Sequence, residues 1–276
     1  MNTARVIYHL ARADFLERVR RYSFLVMLAL ALFLGYQVAA GNMTVRLDVY
    51  RGEFNSAWVG SMLSLIAAFF FGWFGFYLVK GSVARDRETG VGQIIATTPL
   101  NRALYLLGKW ASNFMVLSAM VAVLALAGIG IQFLAGENYQ LDLIAMLTPY
   151  IFLTLPFLAL VAALAVLFES IRFLSGGFGN VAYFFMFITV FPLIDLTVKT
   201  NLALEPLGLG LLQQSMGEAA KQAFPEYGGG FVLGDPSSLG VDLEPPSIIK
   251  QKNGEDWTHD IVLTRFGYVG IACLVI

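Results

Sequence analysis

The segment Trp58–Val79 carries no charged side chain, and beyond a short charged stretch lies Leu104–Leu134, whose only charge is Lys109. Each run is long enough for a helix to cross ~30 Å of hydrocarbon, which takes about 20 residues. With both placed in a bilayer, the stretch between them has little freedom. It holds Lys80, Arg85, Asp86, Arg87, Glu88 and Arg102, with Lys109 just inside the next run. Charges within a bilayer are costly, so the stretch belongs at a membrane face. Short loops rich in Lys and Arg stay cytoplasmic. Residues 80–103 are therefore expected to form a cytoplasmic loop, well placed to touch a soluble partner.

Composition agrees with a chain built mostly for lipid. Of 276 residues 58% are hydrophobic and 13% charged, against roughly a quarter charged in a soluble domain. A net charge of −1 gives no basic field for nucleic acid, so no nucleic-acid partner is expected. The single Cys273 excludes an internal disulfide. The two histidines, His9 and His259, are far apart, and no His-Glu-x-x-His or Cys-x-x-Cys spacing occurs, so neither metal nor catalytic residues are assigned. A phosphate loop, Gly-x-x-x-x-Gly-Lys-[Ser/Thr], is absent; Gly108-Lys109 is followed by Trp110 at the start of an apolar run.

In chain order, residues 1–21 hold five arginines, with Val6, Ile7, Leu10 and Ala13 at roughly helical spacing. They predict an interfacial helix on the cytoplasmic leaflet. Tyr22–Ala40 is a first span. It competes with a signal peptide, since Val38-Ala39-Ala40 resembles a cleavage site, but its leader and apolar core are both long for one. A polar loop, 41–56, leads to the second run; Gly136–Asp142 separates the third from a fourth, Leu143–Phe168, which Pro149 and Pro156 can bend. Leu174–Val198 is a fifth. Residues 199–260 form one polar segment, rich in Pro and Gly. Within it Leu207, Leu211, Leu212, Met216, Ala219, Ala220 and Ala223 share a 3.6 period, predicting an amphipathic helix over 207–224 and otherwise loop with a few short strands. Ile261–Ile276 begins a sixth run, too short for a full span and expected to be truncated.

The fold class is thus an all-α polytopic membrane protein of about six transmembrane helices. Residues 1–21 form the cytoplasmic interfacial helix, 22–198 the first five spans with the loop 80–103, 199–260 an extracytoplasmic segment, and 261–276 the start of helix six. With the N-terminus cytoplasmic, 11 of the 18 Lys and Arg fall in cytoplasmic parts and 7 outside, five of those in or at the exit of the long segment. Long loops translocate largely regardless of charge, so the short loops set this orientation. Trp58, Tyr77, Trp110, Tyr139 and Tyr150 lie near run ends, as interfacial anchors do. Gly72-Trp73-Phe74-Gly75 and Gly128-Ile129-Gly130 are candidates for close helix contacts. Asp195, an acid in the fifth run, reads either as an ion or proton site or as an interfacial partner of Lys199 one turn on.

Within the cytoplasmic loop, Val91, Ile94 and Ile95 are spaced to share one face of a short helix over 85–98, with Arg85, Asp86, Arg87 and Glu88 at one end and Pro99 closing it. Such a patch suits a groove on a soluble protein, with Glu88 or Asp86 pairing to a cation at its rim. A plain anchoring turn is the other reading. This loop resembles one in the permease subunits of ABC-2 type transporters. The match runs through Arg85, Asp86, Arg87, Glu88, Gly90, Ile94, Ile95, Thr97, Thr98 and Pro99, then Arg102 and Gly108-Lys109. The plan is similar too, from the N-terminal helix through six spans to an external segment before the last. Trp257 to Arg265 resembles the entry to that helix.

The resemblance implies a permease working with separate cytoplasmic ATP-binding subunits. Those hold the ATP and magnesium; no cofactor is expected in this chain. It implies a second permease copy, a homodimer or heterodimer, surrounded by the lipids of a bacterial plasma membrane. It makes Arg85, Asp86, Arg87, Glu88, Gly90, Val91, Ile94, Ile95 and Pro99 the ATPase-coupling residues. Export is the expected activity. A secondary transporter, or a membrane-anchored protein acting through 199–260, is the alternative.

Overall fold

A computed structural model describes residues 3–47, 50–90, 92–93, 97, 101–191, 205–226, 228–229, 232–234, 247–249 and 258–276. Its centre is α3, Ser56–Val79, a helix apolar all round and largely buried, as expected of a helix enclosed by others. The Asn55 side chain starts it, accepting a 3.0 Å hydrogen bond from the Trp58 N–H. Around α3 pack α2 (Tyr22–Ala39), α5 (Arg102–Ala135), α6 (Leu143–Pro149) and α7 (Leu155–Ser170). On the charged loop after α3 sits α4, Ser82–Glu88. Preceding them all is α1, Thr3–Val19, which lies against α5.

Among the described residues, four helical stretches are long and apolar enough to cross a membrane: Tyr22–Ala39, Ser56–Glu88, Arg102–Leu134 and Leu143–Ser170. Each side of α2 has its own role. Phe24, Ala31 and Val38, seven residues apart, are buried, while Leu25, Val26, Leu30, Phe33 and Tyr36 face outward; a bilayer accepts such a face and water does not. Close contacts use glycine. A Cβ on Gly60 would meet the Met146 carbonyl at 2.4 Å, and on Gly72 or Gly75 it would meet Phe157 or Leu117 at 2.6 Å. Gly128 is likewise crowded by Leu63, whereas Gly130 has open space and makes no such contact.

Between Pro149 and Pro156 the fourth run does not kink freely. A π-helical turn, Tyr150–Thr154, joins α6 to α7, an insertion often found where regular bonding is interrupted. Thr154 Oγ1 ties it to α3 through the Ser64 carbonyl at 2.9 Å. A second π turn, Met186–Val190, follows α8, Gly177–Phe185. Two of the expected interfacial anchors are instead core residues: Trp58 and Tyr150 are 1% and 2% exposed. Trp58, in the first turn of α3, is covered by Gly52, and Tyr150 lies in the π turn within the fourth run, so nearness to the end of an apolar run did not mean nearness to water.

In the polar segment, α9 spans Leu209–Ala223 and buries Leu211, Leu212, Met216 and Ala220. The last described helix is α10, His259–Val275, against α7. Outside the helices, β1 (Thr44–Leu47), β2 (Tyr50–Gly52), β3 (Val232–Gly234) and β4 (Ser247–Ile249) form one sheet of order β3-β1-β2-β4. β1 is antiparallel to β2 and β3, and β2 is parallel to β4. The loop 41–56 is therefore not an isolated connector; its backbone pairs with the distant segment 199–260. Asp195 and Lys199 lie outside the described residues.

Candidate functional site

The charged loop folds around α4. Gly81, at φ +99°, turns the chain out of α3, and α4 ends where Thr89 donates its N–H to the Arg85 carbonyl at 2.9 Å. Gly90 follows at φ +75°, the left-handed conformation that stops helices and suits glycine. The continuous helix expected over 85–98 is thus interrupted: α4 begins at Ser82 and stops at Glu88. Gly92 and Gln93 are again helical, with the Gln93 N–H bonded to the Gly90 carbonyl at 3.0 Å. Val91, Ile94, Ile95 and Pro99 lie outside the described residues.

The charges of α4 point two ways. Arg87 and Glu88 are exposed. Asp86 is 6% exposed and turned inward, so it is not free to meet a partner's cation as expected. Its Oδ2 lies 2.7 Å from Lys109 Nζ and accepts a 2.7 Å hydrogen bond from the Tyr105 hydroxyl. Lys109 itself is fully buried on α5 and reaches Asp14 of α1 at 2.6 Å. Desolvating an ion pair is repaid only when geometry is good and the remaining polar sites are bonded; one ammonium between two carboxylates, one of them also taking a hydroxyl, meets that demand. Gly108 lets the two helices approach, since a Cβ there would meet Leu10 at 2.5 Å.

Beside this lies a second layer. Arg18, 4% exposed, donates to Asn113 Oδ1 at 2.5 Å and to the Val79 carbonyl at 3.2 Å. Burial lowers its guanidinium pKa to about 10, with Asp14 opposing the shift, so it stays charged at neutral pH. At the rim Glu17 meets Arg85 at 3.0 Å and Arg21 at 2.8 Å. Burial pushes its carboxyl up, but the Arg21 hydrogen bond and the charges of Arg85, Arg21 and Arg18 prevail and hold it below its ordinary value.

The buried stripe of α1 is therefore Ala11, Asp14 and Arg18, flanked by half-buried Ile7, Leu10 and Phe15, while Ala13 is exposed. Reading α1 by its apolar residues alone missed the two charges at its centre. Asp14 and Arg18, one helical turn apart, carried that signal, as did Lys109, a lone cation in an apolar run. Arg85, Asp86, Lys109, Tyr105, Asp14, Arg18 and Asn113 form one site that joins α4 to α1 and α5.

The opposite ends of α3 and α5 meet in neutral polar groups. Ser56 Oγ donates to Gln132 Oε1 at 2.8 Å and accepts from the Asp142 N–H at 2.8 Å. Gln132 Nε2 donates to the carbonyls of Asn138 and Gln140. Beside them opens a cleft of about 920 Å³ that includes Glu53, Asn55, Asn138 and Asp142 in its lining. Farther along, Arg265 of α10 is buried and donates to the Glu205 carbonyl. Burial raises the Glu205 carboxyl, opposed by the Gly210 N–H at 2.6 Å and by Arg265.

The model of the family described as ABC-2 family transporter protein matches residues 8–225. No curated protein matches the chain. The matched region takes in most of α1, the four long apolar helices and the charge cluster around α4, most of the chain: this protein belongs to the ABC-2 family of transporters and is an integral membrane component of that kind.

Proposed function

We propose that the chain is the permease subunit of an ATP-driven exporter and that α4, with the residues after it, receives a separate cytoplasmic ATPase. The observation that carries this is α4 itself. A two-turn helix between two apolar helices needs no buried ion pair to serve as a turn, yet α4 is fixed by the buried pair of Asp86 with Lys109 and by the rim pair of Arg85 with Glu17, while Arg87 and Glu88 stay outward. In this reading Val91, Ile94 and Ile95 fill a groove on the ATPase, Gly90 and Pro99 shape the segment, and ATP with magnesium is bound and hydrolysed by the partner. The N-terminus is cytoplasmic in a bacterial plasma membrane. Six helices cross it, α8 with its π turn and α10 adding to the four long ones, and residues 199–260 lie outside. Two permease copies enclose the path through which substrate is exported.

The test is the double replacement Ile94→Ser and Ile95→Ser. Each buried aliphatic side chain is worth ~1.5–3 kcal/mol, so ATPase co-purification and ATP-dependent transport in proteoliposomes should both fall, with membrane insertion unchanged. Full retention of both would reduce the loop to an anchoring turn.

A further inference from the structure

The first turn of α4 has no cap of its own. Its backbone N–H groups lack intrahelical partners, as at any helix start, and Gly81 offers no side chain to bond them. The partner comes from far along the chain. Glu169, on the last turn of α7 and 3% exposed, places Oε1 2.7 Å from the Gly81 N–H and 3.1 Å from the Ser82 N–H. Its Oε2 lies 2.5 Å from the Val83 N–H and 3.3 Å from the Ala84 N–H, and Ser82 Oγ adds a contact at 3.4 Å. One carboxylate thus takes four consecutive backbone donors, at the end of a helix where negative charge is favoured.

A second tie runs the other way. Lys80, next to Gly81, sends Nζ to the carbonyls of Leu174 and Gly176 at 3.1 and 3.2 Å and to Asn180 Oδ1 at 2.7 Å. Tyr77 adds a 3.0 Å bond to the Asn180 carbonyl. An anion from α7 clasps the start of α4, and a cation before α4 clasps the turn after α7. Either tie alone would leave a hinge at Gly81; together they span it from both sides.

We infer that Glu169 is a positioning residue that makes α4 and α7 one mechanical unit, so that any force an ATPase applies to α4 passes directly into α7. This rests on the reading of α4 as the ATPase contact. Carboxylate chemistry, more than volume, does the holding: a glutamine fills the same space but presents an N–H₂ to a row of N–H donors.

The experiment uses the full chain in lipid nanodiscs, in a Cys273→Ala background, with spin labels on Thr89→Cys and Arg172→Cys, both at exposed positions and neither among the residues assigned to the ATPase contact; ATPase binding and hydrolysis are read in parallel on the chain without labels. Pulsed electron–electron resonance should give one narrow distance, unchanged when the co-purified ATPase is added and then loaded with a non-hydrolysable ATP analogue. Glu169→Gln should broaden that distribution and lower permease-stimulated ATP hydrolysis severalfold while ATPase binding persists; Glu169→Asp, which keeps the charge, should restore part of both. A wild-type distance that shifts with nucleotide, or a Glu169→Gln variant as narrow and as active as wild type, overturns the inference. If no ATPase binds, the docking reading fails, while the distances in the permease alone still test the clasp.

Discussion

The two ends of the α3–α5 pair solve one problem with different chemistry. At the α4 end the helices are closed by full charges: Lys109 between Asp14 and Asp86, Arg18 on Asn113 and the end of α3. At the other end, Ser56, Gln132 and the Asp142 backbone close them with neutral groups, beside which the Glu137 carboxylate takes a backbone N–H from Phe54. A neutral hydrogen bond contributes about 1 kcal/mol net. A buried ion pair is worth little more when intact, yet removing one partner costs about 3–5 kcal/mol, because the survivor is left charged and dry. The neutral end is thus built to tolerate disturbance, and the charged end to make any departure from its geometry expensive. That asymmetry suits a site where an applied force should move whole helices and not loosen side chains.

The sharpest way to break this contrast is Lys109→Met. It strands two carboxylates and should destabilise the protein by about 3–5 kcal/mol, read as the loss of folded protein in thermal unfolding in detergent. Adding Asp14→Asn and Asp86→Asn should recover much of that loss; no recovery would mean that Lys109 acts through packing and not charge. Next, Gly60→Ala should cost about 1–3 kcal/mol by overpacking against the Met146 backbone, with no charge involved. Ser56→Ala should cost about 1 kcal/mol, a small shift in the same assay; a loss as large as that of Lys109→Met would erase the difference between the ends. Arg21→Ala, which opens an exposed pair with Glu17, should fall within ~0–1 kcal/mol.

Acid should separate α1 from α9 in sign. Glu17, held below its ordinary value of 4.5, contributes stability that is present above that value and lost as pH falls through its folded pKa. Glu205, raised above 4.5, does the reverse: its contribution is present below the ordinary value and lost as pH rises through the folded one. Hydrogen exchange followed on acidification should therefore show α1 loosening around Glu17 while α9, at Gly210, tightens. Equal loosening of both would contradict these opposite shifts.

Apolar run length made the long helices and the charged loop legible, because a bilayer imposes one length on every span. The 3.6 period likewise marked the segment that forms α9. The loop's internal geometry was less legible. A glycine in a charged stretch does not announce whether it will take a positive φ, and Gly90 does, which breaks the helix expected over 85–98 just after Glu88. The inward turn of Asp86 depends on Lys109 and Tyr105, whose positions along α5 fix nothing until α5 is packed. Glu169 gave no local sign of its role: its four donors lie some 85 residues earlier in the chain. Strands of three or four residues that pair across most of the chain, as β1 with β3 and β2 with β4, are equally invisible to periodicity.

The sequence separation of these partners also sets an order of construction. Asp14 waits for Lys109, 95 residues on, and the start of α4 waits for Glu169, 87 residues beyond Ser82. At ~5–20 residues per second of synthesis, α1 and then α4 emerge with their charges unmatched for seconds before their counterparts exist. Once α5 is made the charge locks on Lys109 and Asn113 can close, but until the end of α7 is made the start of α4 lacks its carboxylate. A ribosome that stalls within the fourth run leaves an insertion intermediate in which the N–H groups of Gly81 to Ala84 lack their acceptor, and a quality-control protease would meet that form and not the finished one.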